Sequence, residues 1–278
     1  MSNTFTLLAK ASLITLVGLS LSGCQKAPDT MPPNAVPAQV TQHMQLIYDN
    51  PMQNAEDMTG WQMEGPGQVS FENNWMQMWS PDEAMHHVYW APIRFPDSFV
   101  ASWQAQALNT EAGLVIVFFA AKGENGESIF DSQLLPRNGI FTQYTEGDIK
   151  SYHISYYANA AHNPDRQHAN LRKNNTFSLL QKGKVGIPAH STKPHTITLV
   201  KQSAHIQLFI DDEKVIDYID NTPVVDNVDT GKPLADGYIG FRQMKWTQFQ
   251  YRNLKVKIFK TSFVLFNSHF SLDLLYYL

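Results

Sequence analysis

Short strand-like segments separated by Gly, Pro, Asn and Asp run through this chain, and no long segment has the 3.6-residue period of a helix. Within the segments, apolar and polar residues tend to alternate, which is typical of β-strands that are buried on one face. Many short strands with this punctuation predict an all-β protein, an antiparallel β-sandwich. The predicted strands are Gln45–Tyr48, Gln68–Glu72, Trp75–Trp79, His87–Trp90, Phe99–Ala107, Leu114–Ala121, Gly139–Tyr144, Lys150–Ala158, Phe177–Leu180, His195–Lys201, His205–Asp211, Lys214–Tyr218, Tyr238–Arg242 and Thr247–Phe259.

Two of these predicted strands differ in how polar residues are distributed over their two faces. The segment 114–121 is apolar on both faces, which predicts a central strand covered by the opposing sheet on one side and by loops on the other. The segment 99–107 alternates, with Trp103 on one face and Gln104 on the other. Its polar face is expected either to line a ligand groove, where Gln104 would bind substrate, or to face solvent.

Composition bounds the class of protein. The chain has 278 residues, of which 43% are hydrophobic and 17% charged, so it can bury the large core of a single sandwich domain. The chain has a formal net charge of -4, so it lacks the excess of basic residues that binding to a phosphate backbone requires. No nucleic-acid partner is expected.

The first residues have the layout of a secretory signal. Lys10 precedes an apolar run, Ala11–Leu21, that is too short to span a bilayer as a helix. The following Leu-Ser-Gly-Cys resembles a bacterial lipobox, which implies a signal peptide at residues 1–23 and lipidation of Cys24. Because Cys24 is the only cysteine in the chain, neither a disulfide nor a catalytic thiol competes for it.

The expected location follows from this signal. Residues 24–43 contain four prolines and read as an extended tether, with a jelly-roll domain predicted at 44–260 and a tail of unassigned role at 261–278. Gln25, after the cysteine, resembles the pattern sent to the outer membrane. The prediction is a lipid-anchored outer-membrane protein that faces either the periplasm or the cell surface.

The segment from Lys150 to Asn174 holds an unusual density of His, Tyr and cationic side chains. Strand alternation over its first half places Tyr152, Ile154, Tyr156 and Ala158 on one face and Ser151, His153, Ser155, Tyr157 and Asn159 on the other. His153 and Tyr157 are therefore predicted to share a face. Arg172, Asn170 and Asn174 are predicted to share a side further along the chain.

Four segments carry a resemblance to a known family. They are GLVIVFFAA at 113–121, FENNWMQMWS at 71–80, GYIGFRQM at 237–244, and the 150–174 segment. Together they resemble an uncharacterised family of the concanavalin A-like lectin/glucanase superfamily, over about residues 61–260, often encoded with genes for degrading acidic polysaccharides. The resemblance implies a jelly-roll β-sandwich and a carbohydrate-related role.

Several enzyme classes lose support because their motifs are missing. The chain has no phosphate-binding loop, dinucleotide fingerprint, His-Glu-x-x-His or nucleophile elbow. It also lacks the Glu-x-Asp-x-Glu strand of laminarinase-type glycosidases. Glu127 and Asp131 are the alternative acids for hydrolysis if their segment is a strand; a polar loop with a turn-forming Asp is the competing interpretation.

The residue types favour β-elimination on a uronic-acid glycan. That reaction needs a group to neutralise the carboxylate, a base and an acid. Arg172 with Asn170 or Asn174 suits the first role, because a guanidinium matches a carboxylate with two hydrogen bonds, and His153 or Tyr157 suits the others. The set resembles that of jelly-roll alginate lyases in residue types, without their strand motifs. A histidine on a strand is also commonly a structural hydrogen-bond partner.

The remaining predictions concern binding. His87 and Arg242 join Gln104, Asn170 and Asn174 as candidate substrate-binding residues; His86 and His87 point oppositely on a strand, so at most one faces a groove. One or two of the six tryptophans, if placed at strand ends, would stack sugar rings. No cofactor or metal site is predicted, although a structural calcium is possible at the acids Asp211, Asp212, Glu213, Asp217, Asp220 and Asp226.

The sequence therefore predicts an exported lipoprotein that acts on an acidic polysaccharide or oligosaccharide. The first hypothesis is a lyase or related dehydratase with His153, Tyr157 and Arg172 as catalytic residues. A non-catalytic surface glycan-binding protein is the alternative, and a glycoside hydrolase is the third.

Overall fold

The computed structural model describes residues 44–81, 86–160 and 163–260, apart from the side chains of residues 164 and 165. The predicted signal peptide, the lipidation site Cys24, the tether and the tail at 261–278 lie outside the described residues, as does His162. Within the described ranges, no helix has the length and apolar character needed to cross a membrane.

Strands make up nearly all of the regular structure. A four-residue helix α1 (Thr142–Thr145) and a short 3₁₀ helix (Pro164–Gln167) are the helical elements of the described residues. The strands are β1 (Met44–Asn50), β2 (Gln62–Glu64), β3 (Gln68–Glu72), β4 (Trp75–Trp79), β5 (His87–Trp90), β6 (Phe99–Ala107), β7 (Gly113–Gly123), β8 (Ile149–Asn159), β9 (His168–Asn174), β10 (Ser178–Val185), β11 (His195–Gln202), β12 (His205–Ile210), β13 (Glu213–Ile219), β14 (Val224–Val225), β15 (Val228–Asp229), β16 (Tyr238–Gln243) and β17 (Gln248–Phe259).

Two antiparallel sheets form the body of the protein. Sheet 1 has the order β13-β12-β11-β6-β17-β4-β3, with β1 also paired to β17; sheet 2 has the order β10-β9-β8-β7-β16-β5-β2. The strands β14 and β15 form a separate hairpin. The predicted all-β antiparallel sandwich of jelly-roll type is confirmed, because sequential strands repeatedly cross from one sheet to the other.

The main core lies between the sheets and follows from strand alternation. In β6, Ala101, Trp103 and Ala105 are buried while the residues between them are partly exposed, as predicted. The Trp103 ring packs edge-on against Tyr156 of sheet 2, with centroids 6.0 Å apart, and against Phe241, at 5.3 Å. Aromatic contacts of this kind join the sheets and fix their spacing.

A second core lies on the outer face of sheet 2. The chain between β7 and β8 folds over this face, and α1 places the buried Tyr144 against Trp90 and Phe118. Arg137 in this loop donates to Glu64 of β2 at 2.8 Å, which fastens the loop to the sheet edge. The prediction that β7 is a central strand covered on both faces is thus confirmed.

The predicted strand at Gly139–Tyr144 is wrong. Gly139 has a φ of 96°, a left-handed conformation that suits glycine, and α1 follows it. The Gly139 N–H donates to the Tyr144 hydroxyl at 3.0 Å, so the segment curls around its own tyrosine. Conversely, His168–Asn174 forms the full strand β9, which is absent from the predicted strands.

A buried ion pair connects sheet 2 to the chain that follows sheet 1. Lys173 Nζ lies 2.8 Å from Asp220 Oδ2, and both side chains are about 1% exposed. The same ammonium donates to the carbonyl oxygens of Gly231 and Lys232, both at 2.9 Å, and Asp220 also accepts from the Tyr152 hydroxyl. The pair therefore holds the segment around β14 and β15 against β9.

We expect Lys173→Met to lower the free energy of unfolding by about 3–5 kcal/mol, because it leaves the Asp220 carboxylate buried without a cation. Urea denaturation measures the change. The control is Lys184→Met, which breaks an exposed pair with Glu213 and should cost less than about 1 kcal/mol. Equal effects of the two substitutions would contradict this account.

Candidate functional site

A pocket of about 370 Å³ opens on the outer face of sheet 2, beside the second core. The strands β7, β8, β9 and β16 form its floor, and the rings of Phe141 and Phe177 form part of its wall. Its size is within the range of small-ligand sites in proteins.

Strand pairing explains which side chains meet on this floor. His153 of β8 pairs with Phe118 of β7 and with Arg172 of β9. Ser155 pairs with Asn170 in the same way. On the other side, Ile116 of β7 pairs with Arg242 of β16. Directly paired residues point to the same face of a sheet, so the register itself brings these side chains together.

The pocket is strongly cationic. Arg166, Arg172, Lys182 and Arg242 line it, together with the polar side chains of Ser155, Asn163 and Asn170. No carboxylate lines it among the residues whose side chains are described. The resulting field favours an anionic ligand.

Arg242 is buried and has no anionic partner among the described residues. It is 2% exposed, its guanidinium carbon lies 4.3 Å from the centre of the Phe141 ring, and its Nε atom has no hydrogen-bond partner within the described residues. Burial lowers the pKa of Arg242 to about 9, so the group remains charged at neutral pH. A buried charge with no counter-ion is costly, and a bound anion would relieve that cost.

Arg172 is held in position by Phe177. Its Nη1 donates to the Phe177 carbonyl oxygen at 2.8 Å, and its guanidinium carbon lies 4.1 Å from the centre of the Phe177 ring. Burial, followed by repulsion from Arg166, lowers the pKa of Arg172. Because the fork is fixed by one bond and one ring contact, its other donors are pre-oriented for a ligand.

His153 lies between the two arginines and is neutral. Its ring is 3% exposed, stacks at 5.9 Å on Phe177, and its Nδ1 lies 3.0 Å from Asn174 Nδ2. Burial, then the charges of Arg172 and Arg242, lowers the pKa of His153 to about 3. When the Asn174 amide donates to Nδ1, the imidazole proton is on Nε2, and the ring is a hydrogen-bond donor.

His86 has a similar character at the other side of the pocket. The Lys245 N–H approaches its Nδ1 at 3.3 Å. Burial, then the charges of Arg242 and Lys245, lowers the pKa of His86 to about 4. In this arrangement the Nε2 of His86 also carries its proton, so both histidines add donors to the pocket.

Four of the predicted site residues line the pocket: His153, Arg172, Asn170 and Arg242. Asn174 lies behind His153, where its Nδ2 also donates to Ser151 Oγ at 2.9 Å. The side chains of Phe141, Phe177 and Lys182 were not predicted, and of the candidate pair His86 and His87 it is His86, rather than the predicted His87, that lines the pocket. Strand alternation could have found His86, since His87 shares its face with Tyr89, which belongs to the inter-sheet core.

The prediction that Tyr157 shares a face with His153 is wrong. The pairing of β7 with β8 shifts between Ser155 and Tyr157, so a bulge turns both Tyr156 and Tyr157 into the core between the sheets. The Tyr157 hydroxyl donates to the Ala189 carbonyl oxygen at 3.0 Å.

Gln104 and His87 are also placed away from the pocket. Gln104 lies on the outer face of sheet 1, where its Oε1 accepts from Arg252 Nε at 2.6 Å. His87 is fully buried, with its Nδ1 2.7 Å from Ser80 Oγ. Neither side chain can reach a ligand in the pocket.

The two alternative acids lie in the loop over the second core. Glu127 accepts from the backbone N–H and the side-chain amide of Asn125, both at 2.9 Å, and Asp131 accepts from the Gln133 N–H at 2.9 Å. The hydrogen bond from the Asn125 side chain contributes most to lowering the pKa of Glu127. The predicted strand orientation is wrong, and the polar-loop interpretation is confirmed for both residues.

Four of the six acids considered for calcium pair with protein side chains, among them Glu213, which accepts from Lys184 at 3.0 Å. Asp211 accepts from His195, Asp217 from His205 and Lys214, and Asp220 from Lys173. Among the described residues, no group of three or more His, Cys, Asp or Glu side chains could hold a metal ion.

A hydrogen-bonded chain of Ser, His and Asp lies at the end of the sandwich. Ser191 Oγ is 2.6 Å from His195 Nε2, and His195 Nδ1 is 2.7 Å from Asp211 Oδ2. The Ser191 N–H donates to the Pro188 carbonyl oxygen at 2.9 Å and is not available to stabilise an oxyanion. We interpret this series of hydrogen bonds as a structural connection between the loop before β11 and the turn after β12.

The fold and the pocket define an antiparallel jelly-roll β-sandwich with a cationic site on one outer face. The chain belongs to the family described as a domain of unknown function, DUF1961, whose model matches residues 45–256. This confirms the predicted kind of family.

A curated protein and a solved structure, both from Bacillus subtilis, are similar to this chain. The uncharacterized protein YesU of strain 168 is 32% identical over 213 residues, which are 76% of this chain and 94% of that protein. A crystal structure of a Bacillus subtilis protein of unknown function with a galectin-like fold has a TM-score of 0.70 at 32% identity, and the match covers 77% of this chain and 97% of that one.

We expect Arg242→Met to leave the free energy of unfolding within about 1 kcal/mol of the wild type, or to raise it. Methionine fills a similar volume against Phe141 without burying an unpaired charge. Urea denaturation in the absence of ligand measures the free energy of unfolding. Lys173→Met, which removes a buried cation that has a partner, is the contrasting variant. A loss above about 3 kcal/mol would show that Arg242 is a structural residue.

We expect the protein to lose stability between pH 7 and pH 5. Burial lowers the pKa of both His153 and His87 to about 3, so the unfolded chain binds protons that the folded chain does not. The loss begins near the unfolded pKa of about 6.5 and amounts to about 2 kcal/mol per buried histidine at pH 5. Denaturation at the two pH values measures it; an unchanged free energy would mean that these rings are solvated.

Proposed function

We propose that the pocket binds an acidic saccharide and holds its carboxylate between Arg242 and Arg172. The observation that carries this proposal is the buried Arg242 guanidinium, which has no anionic partner among the described residues. A carboxylate matches a pre-oriented guanidinium fork, because the fork can donate two parallel hydrogen bonds to its two oxygens.

The other lining residues suit the neutral part of a sugar. Ser155, Asn163 and Asn170 provide donors and acceptors for ring hydroxyls, and His153 and His86 provide further donors. The aromatic faces of Phe141 and Phe177 are covered by Arg242 and Arg172, so these rings hold the cations in place. The family resemblance found in the sequence supports an acidic glycan as the source of the ligand.

β-Elimination is the second candidate function, and the neutral His153 beside two arginines favours it. Elimination on a uronate removes the proton beside the carboxylate, forms a double bond to the β-carbon and breaks the bond to the β-oxygen. That oxygen takes up a proton and leaves as a sugar hydroxyl in a lyase or as water in a dehydratase. To act as the base, His153 must accept at Nε2 and carry its proton at Nδ1. Asn174 can permit this, because its buried Oδ1 has no partner and a turned amide would accept from Nδ1.

The export prediction gives the ligand a location. If Cys24 carries a lipid anchor in the outer membrane, the pocket would meet glycan fragments in the periplasm or at the cell surface. The same site would then either retain fragments for uptake or convert them.

Calorimetric titration of the purified protein with uronic-acid oligosaccharides and their neutral counterparts tests the binding proposal. We expect binding of an acidic sugar only, and a loss of at least a hundredfold in affinity in Arg242→Met, because a buried, charge-assisted contact is removed. Arg252→Met is the matched control, since Arg252 also stacks on an aromatic ring, at 4.1 Å from Trp75, but on sheet 1. Equal affinity of the two variants would contradict the proposal.

Incubation with the same panel separates binding from chemistry. Elimination would produce ultraviolet absorbance of an unsaturated uronate, with His153→Ala losing product but keeping affinity. Shortened chains without that absorbance, and sensitivity to Glu127→Gln, would support hydrolysis. Binding with no product in either assay would leave a glycan-binding protein.

A further inference from the structure

Trp246 lies at the tip of the turn between β16 and β17. The turn is closed by a hydrogen bond from the Thr247 N–H to the Met244 carbonyl oxygen at 3.1 Å. It is also fixed at both ends, since the Met244 N–H donates to the Leu114 carbonyl oxygen at 3.0 Å and Thr247 Oγ1 accepts from the Leu114 N–H at 2.9 Å. The turn is therefore attached to β7 by hydrogen bonds at both of its ends.

The sequence is unusual for such a position. Trp246 has a φ of 66°, in the left-handed region that glycine and asparagine adopt most easily. Its side chain is 45% exposed, whereas all other tryptophans of the chain, each within the described residues, are buried or partly buried. A tryptophan whose backbone is strained and whose ring is exposed to solvent contributes little to the core.

The turn adjoins the cationic pocket. Met244 lines the pocket, and the Lys245 N–H bonds to His86, another lining residue. The Lys245 ammonium lies 4.1 Å from the centre of the Trp246 ring. Lys245 and Trp246 thus directly follow a lining residue, so the turn carries a cation and an exposed aromatic face at the border of the pocket.

We propose that Trp246 and Lys245 form a second subsite, which binds the sugar residue next to the one whose carboxylate occupies the pocket. This inference rests on the proposed function, and it specifies the ligand as an oligosaccharide of at least two residues. The apolar C–H face of a pyranose stacks on an exposed indole, and Lys245 can leave the ring to pair with the carboxylate of a second uronate.

The test compares chain lengths of one ligand. Calorimetric titrations use galacturonate, mannuronate and glucuronate as monosaccharides, and trisaccharides of the same sugars, against wild type, Trp246→Asn and Trp246→Phe. Asparagine removes the ring and tolerates the left-handed backbone, so this variant should fold and have an equal or higher Tm. We expect Trp246→Asn to weaken trisaccharide binding about tenfold, with monosaccharide affinity unchanged and Trp246→Phe close to wild type.

Protection of Trp246 gives a second readout. Because this tryptophan is the exposed one, a bound trisaccharide should reduce acrylamide quenching of fluorescence in the wild type, and this change should be absent in Trp246→Phe.

The outcomes separate the two proposals. If the wild type binds acidic trisaccharides and Trp246→Asn binds them equally well, the subsite is refuted while the pocket stands. A fall in Tm without a selective loss of trisaccharide affinity would make Trp246 a structural residue and refute the subsite as well. If the wild type binds none of the acidic sugars, the proposed function fails and the subsite fails with it.

Discussion

The buried guanidinium of Arg242 is the constraint on which the site depends. It is held on the floor of a pocket whose described lining residues carry no acid, and the ring of Phe141 supports it without neutralising it. Elsewhere in the described fold, the buried cation Lys173 has Asp220 as a partner. The contrast distinguishes a charge that fastens the fold from one that is left available to a ligand.

The sheet register gives this charge its neighbours. Because β7, β8, β9 and β16 pair side by side, the residues at one level of sheet 2 include Phe118, His153 and Arg172, and the next levels bring Ile116 beside Arg242. The loop that carries α1 then closes one side with Phe141 and lowers the solvent access of His153. The neutral state of His153 follows from that burial and from the two arginines.

Strand alternation predicted most of the fold, because a strand buried on one face must carry a period of two. It succeeded for β6 and for the doubly covered β7. It failed where the period breaks: the bulge in β8 turned Tyr157 into the core, and no local signal in the sequence marks that extra residue. The prediction that Gln104 binds substrate was wrong for a different reason. The polar face of β6 was predicted correctly. Which of the two sheets carries the pocket depends on long-range strand order, and this order cannot be read from one sequence.

The chemistry of the site was partly readable from residue types. A density of Arg, His and Asn around β8 and β9 indicated an anionic ligand, and Arg172, Asn170 and His153 do meet in the pocket. The aromatic supports Phe141 and Phe177 could not be predicted, because both lie in connecting segments whose path depends on the finished sheet.

A crystal structure of the protein with a bound uronic-acid oligosaccharide tests the central claim most directly. The account predicts that a carboxylate lies within hydrogen-bond distance of the Arg242 and Arg172 guanidinium groups, on the outer face of sheet 2. A sugar bound on sheet 1, near Arg252 and Trp75, with the Arg242 pocket empty, would contradict it.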